Sequence, residues 1–383
     1  MRRKKGGAAL VMVLMGLALV LILTRRWSGS STRESVAPEE TLPPAAAQEQ
    51  TAPAEEPAQP AEPEHRHVWD GESGICLSCG YACPHERHDA ETTVCLQCGV
   101  LCRHHFGTAA LCDGCGMAAP LYTEDLPERY FAPAEHPGQV QHKTVTDDNG
   151  AEHRIAVWLP YDYNANGKYN LLLAIHGDNG SCDDWMEKEK TTARGTLQMR
   201  WLYDHLTEER LCEPFIVVSM DNTGMEDPAY GERLLEEILL PYLSRNYATY
   251  MAGTGPEQIA AAREHIAIGG MSRGSIFGYS VGMDRCFDVA ANFFCFSNGI
   301  QTTLAARLND EEYGDLPIRC YVATVGTEDK PDYVSHHRLH YELLCQGVDR
   351  LTDGENARFL EIKGGHDYLV WYTSLYDALL LMF

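Results

Sequence analysis

Basic side chains are scarce in this chain: 31 Lys and Arg stand against 55 Asp and Glu, a formal charge of -24 at pH 7. Nucleic acid and anionic membrane surfaces both attract concentrated positive charge, so neither is an expected partner. Large apolar side chains are almost missing between Ser28 and Glu64, which excludes a packed core there. Seven prolines, eight glutamates and a single arginine predict instead a disordered tether over 28–64. Extended as polyproline II it would reach roughly 110 Å, at about 3.1 Å per residue.

At 383 residues the chain exceeds one ordinary domain, so a large folded unit with accessory segments is expected. The opening stretch, "MRRKKGGAALVMVLMGLALVLILTRRW", holds an uncharged run from Gly6 to Thr24 between basic clusters. A helix of that length, at about 1.5 Å per residue, nearly spans a hydrocarbon core of roughly 30 Å. The run is longer than a signal-peptide core of about 7–15 residues, and no small-x-small cleavage site follows. Residues 1–27 therefore read as an uncleaved membrane anchor, with a cleaved signal peptide as the alternative. The heavier positive cluster in front of the helix keeps the N-terminus cytoplasmic and exports everything after Trp27.

From His65 to Met117 the sequence repeats itself. His65-x-His67 precedes Cys76-x-x-Cys79, Cys83-x-His85 precedes Cys95-x-x-Cys98, and Cys102-x-His104 precedes Cys112-x-x-Cys115. A Cys-x-x-Cys turn lets two thiolates grip one ion, and a second pair completes the tetrahedron that zinc prefers. Each unit offers four protein ligands, so the zinc would be structural and would supply most of the folding free energy of so short a segment. Disulfides are the competing use of these cysteines in an exported chain, but they leave the histidine periodicity unexplained. The segment, 65–117, is similar to small zinc-ribbon-like repeats.

Beyond Pro120 cysteines thin out and strand-like runs alternate with helical spacing. "HRIAVWLP", "YNLLLAIHG", "PFIVVSM", "HIAIGG", "NFFCFS", "IRCYVATVG" and "ARFLEIKGG" read as strands; "GERLLEEILLPYLSRNY", "VSHHRLHYELLCQ" and "YTSLYDALLLMF" read as helices. This alternation over 121–383 predicts an α/β domain with a mostly parallel sheet covered by helices on both faces. Chemistry in such sheets gathers at the carboxyl ends of strands.

Three loops stand at such ends. Gly270-Met271-Ser272-Arg273-Gly274 fits a G-x-S-x-G nucleophile elbow, in which a sharp strand-to-helix turn projects the serine and tolerates only small neighbours. Ser272 is the candidate nucleophile, and the Arg273 N–H at the start of the next helix is a candidate oxyanion donor. His366, in "IKGGHDYLVW", is the candidate base; His336, His337 and His340 sit in a helical stretch and read as surface residues. In "VATVGTEDKPDY" the candidate acid is Asp329, with Glu328 as alternative. Backbone amides near Asp178, in "LLLAIHGDNGSCDDW", are candidates for the second oxyanion donor. Ser, acid and His follow one another in the order the hydrolase fold requires.

On "LLLAIHGDNG", "EEILLPYLSRNY", "IAIGGMSRGS", "VGTED" and "GGHDYLVWYTSLYDAL", residues 138–383 resemble the esterase D/feruloyl esterase-like branch of the α/β-hydrolases. The resemblance implies a serine esterase acting on feruloyl or acetyl esters of polysaccharide, with Ser272, Asp329 and His366 as triad and no catalytic metal. The chain departs from the branch in having Arg273-Gly274 where Met-Gly is usual, and a guanidinium there is expected to alter specificity or favour an anionic substrate group. The competing class is a surface binding protein that uses the zinc-like repeats and keeps the hydrolase fold as a scaffold. A peptidase or lipase would share the triad, although no long lid segment is present for a lipase.

Overall fold

The computed structural model describes residues 94–97, 99, 102, 104–299 and 303–383. The expected anchor at 1–27 and tether at 28–64 lie outside the described residues. Among the described residues no helix is long and apolar enough to cross a membrane.

Unbroken apolar runs form the centre of the fold. Strand β3 (Asn170–Ile175), β6 (Phe215–Met220), β7 (Ile266–Met271), β8 (Asn292–Phe296) and β9 (Cys320–Gly326) have every residue buried, as strands covered on both faces must. With β1 (Gln139–Thr146), β2 (Glu152–Leu159) and β10 (Ala357–Ile362) they make an eight-stranded sheet in the order β1-β2-β6-β3-β7-β8-β9-β10. β2 runs antiparallel to both its neighbours, and every pairing from β6 to β10 is parallel. A separate hairpin joins β4 (Lys190–Thr192) to β5 (Gly195–Leu197).

Side chains that alternate along a strand feed two cores. Leu171, Leu173 and Ile175 of β3 pack with the layer that contains Leu235, Leu239 and Val281. Leu172 and Ala174 point the other way, into the layer of Trp185, Leu202 and the C-terminal helix Tyr368–Met382. The helical spacing read at 231–247 is one continuous path: an α-helix Pro228–Arg233, a π-helical segment Leu234–Leu239 and an α-helix Leu240–Asn246. Pro241 has no N–H to return to the preceding turn, and the π segment sits directly upstream of it.

The histidines of the helix Pro331–Gly347 correct the sequence reading. His336 is exposed, but His337 and His340 are buried against Tyr279. His337, His340, Tyr341 and Leu344 form an i, i+3, i+4, i+7 stripe facing the sheet, while Leu339 and Leu343 face solvent, so polarity alone misassigns the face. Burial, with His340 nearby, pushes the His337 pKa down to about 3 and keeps the ring neutral.

Candidate active site

The turn after β7 explains its glycines. A Cβ on Gly270 or on Gly274 would overlap the carbonyl oxygen of Ile175 in the neighbouring β3. Only glycine lets strand and helix approach so closely. Ser272 between them has φ 54° and ψ -114°, a left-handed conformation that a non-glycine residue adopts only under constraint. Its N–H is held by the Phe296 carbonyl at 2.8 Å, and the helix Arg273–Phe277 begins at the next residue.

The loop after β10 supplies the imidazole. His366 Nε2 lies 2.9 Å from Ser272 Oγ, and its Nδ1 lies 2.8 Å from Asp329 Oδ2. The Asp329 side chain is fully buried, and its other oxygen accepts the Lys330 N–H at 2.7 Å. The two loops are tied by the Glu328 N–H, which donates to Gly364 O at 2.7 Å. Glu328 itself is exposed. Asp367 caps the C-terminal helix through the Leu369 and Val370 N–H groups, which fixes the backbone next to His366. Trp371 and Tyr333 present their rings at 5.0 and 5.3 Å from the imidazole centroid. Ser272, His366 and Asp329 thus form one hydrogen-bonded line whose inner end is buried.

The loop after β3 runs alongside. A methyl on Gly177 would stand 3.3 Å from Ser272 Cβ, and Asp178 borders the cavity in front of Ser272. His176, which the sequence left without a role, organises this loop: its Nδ1–H donates to Gly177 O at 2.7 Å and its Nε2 accepts the Asn222 N–H at 3.3 Å. These two bonds select one neutral tautomer. Asn222 also donates from Nδ2 to His176 O, joining the loops after β3 and β6.

A cavity of about 320 Å³ opens beside Ser272, walled by Asn222, Met225, Glu226, Ile276, Phe277 and Tyr333. Met225 and Glu226 belong to the stretch "MDNTGMEDPAY", Met220 to Tyr230, at the end of β6. Ile276 and Phe277 are the turn of helix just past the serine, and their spacing signals only a helix face. The Arg273 side chain crosses the rim and bonds Asp178 Oδ1 at 3.0 Å and Glu226 Oε1 at 2.6 Å.

A second cluster lies apart from this cavity. Cys102, His104, Cys112 and Cys115 bring one ligand atom each to within 4.8 Å of one another. Cys102 Sγ and Cys112 Sγ are 3.8 Å apart, and Cys115 Sγ is 3.4 Å from His104 Nδ1. A tetrahedral ion with bonds of about 2.3 Å to sulfur and 2.0–2.1 Å to nitrogen requires ligand separations of about 3.5–3.8 Å, so the four residues fit a metal of zinc's size. Burial and the neighbouring sulfurs push the Cys102 thiol up; burial also opposes ionisation of Cys112, but backbone N–H groups of Cys115, His105 and Gly114 hold it below the usual thiol value. Of the other proposed ligands, Cys95 is buried, whereas His65, His67, Cys76, Cys79, Cys83, His85 and Cys98 lie outside the described residues. The six later cysteines, from Cys182 to Cys345, are free thiols.

No family model matches the chain. Endo-1,4-beta-xylanase Y of Acetivibrio thermocellus is 32% identical over 174 residues, which are 45% of this chain and 15% of that protein's length. Among solved structures, the feruloyl esterase module from Clostridium thermocellum, a serine-to-alanine mutant complexed with sinapinate, superposes with a TM-score of 0.59 at 25% identity, covering 68% of this chain and 93% of the module. The chain resembles the feruloyl esterases. The ferulic acid esterase of the anaerobic fungus Anaeromyces mucronatus shares the fold at 18% identity, with a TM-score of 0.50 over 67% of this chain and 95% of its own. An eight-stranded, mostly parallel sheet with a serine turn after β7 is the α/β-hydrolase fold.

Proposed function

We propose that the protein is an extracytoplasmic serine esterase that hydrolyses carboxylic esters, with feruloyl or acetyl groups on polysaccharide as the substrate class. The observation that carries this reading is the position of His366, 2.9 Å from Ser272 Oγ and 2.8 Å from Asp329 Oδ2. Likeness to a feruloyl esterase module and the cavity beside the serine, with Met225, Ile276 and Phe277 in its wall, support it.

In the proposed reaction Ser272 Oγ attacks the ester carbonyl while His366 Nε2 takes its proton, and Asp329 stabilises the imidazolium and holds its tautomer. The oxyanion is met by the Arg273 N–H at the start of its helix and by an amide of the loop at Asp178. His366 returns the proton to the departing alcohol, leaving an acyl-enzyme. Water, deprotonated by the same imidazole, then releases the acid and Ser272.

Zinc held by Cys102, His104, Cys112 and Cys115 would be structural, since four protein ligands leave no position for substrate. The N-terminal apolar run and the tether would hold the enzyme at the outer side of the membrane.

The deciding experiment compares release of 4-nitrophenol from its acetate, and of ferulate from its methyl ester, by the full chain and by Ser272→Ala. Turnover that falls at least about a thousandfold in the variant is expected; a folded wild-type chain inert toward both esters overturns the reading.

A further inference from the structure

Arg273 brings a cation next to the reacting serine, but that cation is already engaged. Its Nη1 and Nη2 bond Asp178 and Glu226, which come from the loops after β3 and β6 and therefore from two walls of the same cavity. Every other side chain that lines the cavity, Met225, Ile276 and Phe277 among them, is uncharged. One cation between two carboxylates leaves the wall with one net negative charge. A guanidinium with open donor positions is a receptor for carboxylates; this one meets an incoming carboxylate with two tethered competitors in place. The expectation that Arg273 favours an anionic substrate group is thereby reversed.

We propose that Asp178 and Glu226 are specificity determinants: by pairing with Arg273 and leaving surplus negative charge on the cavity wall, they restrict the site to esters whose acyl group carries no carboxylate. The inference rests on the esterase reading above and narrows its substrate class. Aromatic and aliphatic acyl groups find Met225, Ile276 and Phe277, whereas a carboxylate in the same cavity loses hydration and faces a like charge. The three charged side chains are partly exposed, so the penalty is a several-fold to about tenfold loss, and added salt weakens it.

The test uses the full chain and two probes that differ at one position, a carboxylate or its methyl ester: the mono-4-nitrophenyl ester of terephthalic acid and its methyl-capped counterpart. Release of 4-nitrophenol gives kcat/KM for each. Wild type is expected to favour the capped ester by about tenfold, mainly through KM. Glu226→Gln and Asp178→Asn each lower this ratio several-fold, and Arg273→Gln raises it. A clamp that serves only to hold the loops would depress both esters alike in all three variants, and a ratio constant within about twofold overturns the proposal while leaving the esterase reading intact. Absence of turnover of either probe by wild type defeats the reading and the inference together.

Discussion

The carbonyl oxygen of Ile175 occupies the space in which a side chain at Gly274 would have to stand. Gly274→Ala should therefore push the elbow helix off β3. Denaturant unfolding is expected to show a loss of about 1–3 kcal/mol, as overpacking typically gives, with esterase turnover lost at the same time because Ser272 moves. Unchanged stability and activity would mean that strand and helix can separate freely here.

Asp329 and Glu328 are adjacent, yet only Asp329 is buried beneath His366. Asp329→Asn should lower kcat by about 10²- to 10⁴-fold with little change in KM, because an amide can hold the wrong tautomer of the imidazole. Glu328→Gln should stay within about threefold of wild type. Equal losses in the two variants would contradict the assignment of Asp329.

Strands, turns and cavity walls leave different traces in the sequence. β3, β6, β7, β8 and β9 were legible because a strand covered on both faces needs an unbroken apolar run, and such runs stand out. β1 leaves no such mark: most of its side chains are exposed and polar, and its place is fixed by pairing with β2. The helix Met199–Glu208 is only weakly marked, by Leu202 and Leu206 at helical spacing. At the site, Ser272, Asp329 and His366 were approachable because each lies in a loop following an apolar run. Met225, Ile276 and Phe277 had no such marker, since an apolar residue lining a cavity and one filling a core look the same in sequence. His176 and Asn222 act through backbone hydrogen bonds, which leave no pattern of spacing.

The four-residue Cys/His cluster should hold one zinc ion per chain through Cys102, His104, Cys112 and Cys115. Elemental analysis of the full chain is expected to lose about one zinc on Cys112→Ser. Chelation should lower the unfolding temperature of the catalytic part as well, because Cys102, Phe106 and Cys112 share an apolar cluster with Leu379 and Phe383. A catalytic transition that ignores the chelator would show that the cluster is not coupled to that core.

Glu236 lies in the π-helical segment, where burial, with the charge of Asp288 adding to it, raises its pKa to about 7. In the unfolded chain a glutamate titrates near about 4.3. Between these values the native state holds the proton that the unfolded chain has lost, so stability falls as pH rises through this window. Glu236→Gln should match wild type near pH 4 and exceed it by on the order of 1–3 kcal/mol above pH 7, as read from urea unfolding at pH 4, 6 and 8. A wild-type advantage that grows with pH would be the opposite sign and would rule this out.

Phe106 is 2% exposed and belongs to the same apolar cluster as the helix Tyr368–Met382, whose near end adjoins His366. That helix is a stiff rod about 22 Å long at 1.5 Å per residue. With Phe106 of the Cys/His segment in the same apolar cluster as this helix, and His366 just before its first residue, disturbance of the Phe106 packing is expected to reach the imidazole. Trimming the Cys/His segment to isolate the hydrolase would accordingly cost turnover as well as solubility.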